Sequence, residues 1–85
     1  MNPHAMEQTK RGTERASGVP NVTYDLIAVF SNTLEGMAAV ESYRQDADAA
    51  GDGEAAAFLA AWQTTARDQV DQLRALLAPR LAAPR

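Results

Sequence analysis

Glu41 is the residue of this chain whose type and setting point most directly to chemistry. It lies seven residues after Leu34 and fourteen after Ile27, so on a helix it falls within about 40° of their apolar stripe. A carboxylate placed there is costly unless it is paired, protonated or bound to a metal. Two readings follow. Glu41 is a metal ligand between helices, or it is a structural carboxylate satisfied by Arg44, Arg67, a tyrosine or water. A second acidic cluster, Asp46, Asp48, Asp52 and Glu54, resembles a calcium loop at first sight. Such a loop needs a bidentate carboxylate at its twelfth position. Counting from Asp46 puts Ala57 there, and counting from Asp48 puts Leu59 there, so a solvated acidic junction is expected instead.

The remaining reactive types are sparse. His4 is the only histidine, without a neighbouring nucleophile or a second nitrogen ligand. Ser31, Asn32 and Thr33 form a polar run, yet no base is placed to activate a hydroxyl. The chain has no cysteine, which excludes disulfides, thiolate zinc sites and thiol catalysis. Phe30, Phe58 and Trp62 read as core or interface anchors. No catalytic residue is assigned, and the chain is not expected to be an enzyme.

Charge narrows the partners. Residues 1–22 carry Lys10, Arg11 and Arg15 against Glu7 and Glu14, whereas residues 23–85 carry five arginines against nine carboxylates. An acidic body without a basic face argues against nucleic acid, whose binding rests on neutralising phosphates. No apolar run is long enough to span a membrane, and the N-terminus lacks the apolar core of a signal peptide, so a cytoplasmic location is expected.

The elements that would position these residues are two long helices. Residues 1–21 are polar, contain Pro3, Gly12, Gly18 and Pro20, and read as a flexible tail in which Met6 is an alternative start. Helix one is expected over about 24–50, capped by Asn21 or Thr23, with Asp25 in its first turn. Gly36 costs such a helix ~1 kcal/mol against alanine; a close crossing and simple tolerance are both open explanations. Gly51 fits a left-handed helix stop and Asp52 the next N-cap, followed by Glu54 in the first turn of helix two. Helix two is expected over about 53–78, stopping before Pro79, with residues 79–85 fraying. On its outer face Arg67–Asp71 and Asp71–Arg74 are spaced as helix-surface ion pairs.

The segments Glu41-Ser42-Tyr43, Asp46-Ala47, Ala50-Gly51-Asp52-Gly53-Glu54 and Ala56-Ala57-Phe58-Leu59 resemble a ferritin-like, rubrerythrin-type helical hairpin over residues 24–78. The resemblance implies half of a four-helix bundle. Metal-binding members supply a Glu from the first helix and Glu-x-x-His from the second. Registered on Gly51, Glu41 takes the first-helix carboxylate position, while Ala66 and Gln69 stand where Glu-x-x-His would. The resemblance thus implies the fold without the ferroxidase or peroxidase ligand set. No cofactor is expected, iron or manganese at Glu41 being the exception to test.

The expected fold is therefore all-α, an antiparallel two-helix hairpin that forms a four-helix bundle by homodimerisation or a higher homo-oligomer. Its shared core or interface would comprise Ile27, Phe30, Leu34 and Met37 from helix one, and Leu59, Trp62, Ala66, Val70, Leu73 and Leu77 from helix two. Three functions stay open. The first is a non-catalytic assembly or protein-interaction module. The others are a degenerate metal-binding protein using Glu41, and a small acidic regulator acting on a protein partner through its N-terminal tail.

Overall fold

The computed structural model describes Ala16 and residues 18–82. His4, Met6, Lys10, Arg11 and Arg15, with most of the expected tail, lie outside the described residues, as do 83–85. Two helices make up the fold, α1 (Asn21–Ala49) and α2 (Gly53–Ala82), and no strand occurs among the described residues. Gln63 of α2 meets Glu41 and Arg44 of α1, whereas Leu73 and Leu76, later in α2, line a cleft with Val29, earlier in α1, so the two helices form an antiparallel hairpin.

The turn is built as its sequence dictates. Gly51 adopts φ 69°, the left-handed conformation in which a side chain would be strained. The Gly51 N–H donates to the Asp48 carbonyl at 3.1 Å and the Asp52 N–H to the Ala47 carbonyl at 2.9 Å, the paired bonds of a Schellman motif. Asp52 then opens α2, its Oδ1 accepting the Ala55 N–H at 3.0 Å and its carbonyl the Ala56 N–H at 3.0 Å. One aspartate closes the first helix with its N–H and starts the second with its side chain.

Both outer ends depart from expectation. α1 starts at Asn21, within the segment expected to be tail, and the cap position is Pro20, without a side-chain cap hydrogen bond. The extended backbone of Pro20 (φ −54°, ψ 145°) lets its carbonyl accept the Tyr24 N–H at 2.9 Å, so neither Asn21 nor Thr23 caps the helix. Thr23 is buried on the helix–helix seam instead, and Asp25 lies beyond the first turn. At the far end α2 continues through Pro79 to Ala82 rather than stopping before it. Proline removes one N–H and crowds one carbonyl, a small loss this close to a helix end. Buried Leu77 anchors the preceding turn, and the Arg80 guanidinium donates to the Leu76 carbonyl at 2.7 Å. Arg80 also complements the negative end of the helix dipole.

The seam follows a 3.5-residue period. On α2 it runs Ala56, Leu59, Gln63, Ala66, Val70, Leu73, Leu77, and on α1 Thr23, Leu26, Phe30, Thr33, Met37, Val40, Arg44, Ala47, all buried or half-buried. This strict alternation of three and four is a coiled-coil spacing, and it shifts the core from the expected stripe. Ala66, Val70, Leu73 and Leu77 are buried, whereas Ile27, Phe30, Met37 and Leu59 are half-buried. Leu34 and Trp62 are exposed, at 42 % and 39 %, because they sit one position off the seam on opposite sides. No described side chain falls below 2 % exposure, so the core is one row thick.

Candidate functional site

Glu41 is exposed, and its carboxylate belongs to a clasp across the seam. The Gln63 amide nitrogen donates to Glu41 Oε2 at 3.1 Å, and an Arg44 guanidinium nitrogen donates to Gln63 Oε1 at 2.7 Å. The same guanidinium nitrogen lies 3.7 Å from Glu41 Oε2. Gln63 is only 6 % exposed, so this one amide satisfies both its donor and its acceptor ends inside the seam. Arg44 is one of the partners that the sequence offered for Glu41; Gln63 was not foreseen. Arg67 and the tyrosines take no part in the clasp. A guanidinium beside a carboxylate supplies the positive charge that a metal ion would otherwise bring. Among the described residues no group of three or more His, Cys, Asp or Glu could hold a metal ion.

The two flanks of the seam differ in chemistry. On the Glu41 side the row next to the seam reads Ile27, Leu34, Glu41 and Asp48 on α1, and Ala60, Arg67, Arg74 and Leu81 on α2. Register places Arg67 and Arg74 beside Leu34 and Ile27, where their aliphatic stems can screen apolar surface while the charges stay in water. Arg67, Asp71 and Arg74 do not close the ion pairs that their spacing suggested among the described residues.

On the other side the row reads Val22, Val29, Gly36 and Tyr43 on α1, and Ala55, Trp62, Gln69 and Leu76 on α2, without a single charge. Here the helices leave a cleft of about 360 Å³ bounded by Val29, Asn32, Thr33, Gly36, Trp62, Thr65, Ala66 and Gln69. It is followed along the same side by one of about 230 Å³ that includes Val29, Gln69, Gln72, Leu73 and Leu76. Gly36 shapes the cleft. A Cβ built on it would stand 3.3 Å from Trp62 Cη2, so the indole occupies the notch left by the missing side chain. Of the two explanations open for Gly36, close approach is the one the structure supports.

Phe58, one row further out on α2, is 68 % exposed, and Val22, Val29, Tyr43 and Leu76 are also exposed on this flank. Most of the large apolar side chains that the hairpin leaves in water therefore lie on its uncharged side. Scattered exposed leucines are ordinary, whereas here the exposed apolar side chains gather along one flank beside the cleft. The sequence singled out Trp62, Gly36 and Gln69 separately but not the row they share; the signal was the seven-residue spacing Val22–Val29–Gly36–Tyr43 matched by Ala55–Trp62–Gln69–Leu76. No helix among the described residues is long and apolar enough to cross a membrane. Comparison with protein-family models, with curated proteins and with solved structures finds no match to this chain.

Proposed function

We propose that the hairpin is a non-catalytic assembly module that docks a second copy of itself along the uncharged flank, closing a four-helix bundle. The observation that carries the reading is the asymmetry of the flanks: one bears Arg67 and Arg74, and the other bears Trp62, Phe58, Tyr43, Leu76, Val29 and Val22 without a charge beside the seam. A two-fold interface sets a surface against itself, and an uncharged surface meets its own copy without like-charge repulsion. The one-row core supports the same reading, since small helical domains commonly complete their cores by association.

The magnitudes are compatible. Full burial of a large apolar side chain contributes roughly 1.5–3 kcal/mol, and these side chains are about half exposed, so a dimer burying them on both copies gains on the order of 10 kcal/mol. Association costs about 4–15 kcal/mol. The balance corresponds to a dimer whose population depends on concentration rather than to an inseparable one.

The ferritin-like arrangement of two hairpins per bundle is the family form of this proposal. The positions at which that family carries Glu-x-x-His are here the buried Ala66 and the flank residue Gln69, which supports assembly over redox chemistry. Trp62→Asp tests the reading. Sedimentation equilibrium should show the wild type approaching twice 9.1 kDa as concentration rises, with the variant held at the monomer mass and less helical. A wild-type protein that stays monomeric at high concentration overturns it.

A further inference from the structure

We infer that the second copy docks in reverse, with its turn over the open end of the first. The inference rests on the proposed use of the uncharged flank and concerns how that flank is occupied. Carboxylates gather at one end of the hairpin. Near the turn lie Asp46, Asp48, Asp52 and Glu54, together with the Glu41–Arg44 pair. Near the open end Arg74 and Arg80 stand against Asp25 and Asp71, so that end is balanced in charge, and Lys10, Arg11, Arg15 and Arg85, with Glu7 and Glu14, lie beyond it in sequence.

Two face-to-face arrangements preserve two-fold symmetry. With the turns together, each α1 lies over the partner copy's α2, and the two acidic turns crowd one end. With the turns apart, each helix lies over its own counterpart, and each acidic turn lies at the charge-balanced open end of the other copy. Like charges brought together disfavour the first arrangement, and the second separates them.

The centre of the flank agrees with the reversed arrangement. Gly36 lies fifteen residues before Gly51 and Gln69 eighteen after it, so both stand near mid-length, where the two-fold axis would pass. A residue on that axis meets itself. Glycine leaves room for this, and a glutamine amide, donor and acceptor at once, can pair with its own copy where a charged side chain would repel. One feature opposes the arrangement: Asp46 of one copy approaches the level of Asp25 of the other. Both lie on the outer rim of α1, where screening within about 8 Å weakens a single like-charge pair. Four carboxylates per copy confined to one end outweigh it.

The absence of cysteine makes the test direct, because one introduced thiol in the full chain takes one spin label. Ala50→Cys places the label on the exposed turn. Pulsed electron paramagnetic resonance on the dimer should give an Ala50–Ala50 separation near the length of α1, roughly 43 Å for 29 residues. A mixed dimer labelled at Ala50→Cys on one copy and Ala78→Cys on the other should give a short separation. Turns together would bring the Ala50 labels within roughly 20 Å, two packed helix layers, and would overturn the reversed docking while leaving the dimer intact. A sample that sedimentation shows to be monomeric overturns the use of the flank, and the orientation falls with it.

Discussion

Replacing Gln63 with leucine should stabilise this protein, although it deletes both hydrogen bonds that cross the seam. Gln63 sits at a core position, and its amide is held by Arg44 at 2.7 Å and Glu41 at 3.1 Å. The side chains of Arg44 and Glu41 are 38 % and 56 % exposed, so water can rehydrate both once the amide is gone. With water as the substitute, the loss is about 1.5 kcal/mol per bond, the low end for bonds to charged groups. The clasp is also imperfect, because Arg44 Nε is buried without a hydrogen-bond partner. Against that loss, a leucine of similar volume gains roughly 1.5–3 kcal/mol of apolar burial, and the desolvation of an amide, about 1–3 kcal/mol, disappears. The net expectation for Gln63→Leu is a gain of about 1 kcal/mol, which raises the melting temperature of a domain this size by roughly 4–8 °C. Urea unfolding followed by circular dichroism at several protein concentrations measures the effect and separates it from self-association, which adds its own concentration-dependent stability. A lower midpoint at every concentration would refute the reasoning, for it would mean that the clasp outweighs an apolar contact at the same position.

Two further outcomes concern the turn. Gly51→Ala forces a side chain into φ 69° with nothing within 4 Å to compensate, and should destabilise the hairpin by about 1–2 kcal/mol in the same unfolding assay. Asp52→Ala deletes the N-cap bond to Ala55 while leaving the Schellman bonds, and should cost about 0.5–2 kcal/mol, with Asp52→Asn retaining most of the stability. If Asp52→Asn lost as much as Asp52→Ala, charge at the helix dipole rather than the cap bond would be responsible.

Much of the fold was legible because its signals are local. Gly51 and Asp52 are read correctly from the conformations and caps that their residue types favour, and they define the hairpin. The phase of the seam was harder to read. A search for apolar spacing joins Leu59 to Trp62 and passes over Gln63, yet it is Gln63 that lies inside. Thr23, Thr33 and Arg44 are lost the same way on α1, since each is polar by type and on the seam by position. Only the unbroken alternation of three and four, counted without regard to polarity, places them. The ends were misread for a related reason. Thr23 has the chemistry of a cap but the position of a core residue, and Pro79 has the chemistry of a stop but follows a turn already anchored by Leu77. Glu41 was read as lying at a buried stripe, with Arg44 one of several partners open to it; the structure leaves Glu41 exposed and gives it Arg44, at i+3, beside it. Gln63, twenty-two residues away, depended on a register that only the folded hairpin supplies.

The short connection from Ala50 to Asp52 also governs how this chain finds its structure. Every contact between the helices can form by zipping outward from that connection, each step closing a loop only slightly longer than the last. Closure entropy rises slowly under such growth, and topologies dominated by near-neighbour encounters fold among the fastest. The bend is thus the natural nucleus of folding. A strained residue at Gly51 should slow the forward rate, whereas truncating Leu77, which docks late, should chiefly quicken unfolding.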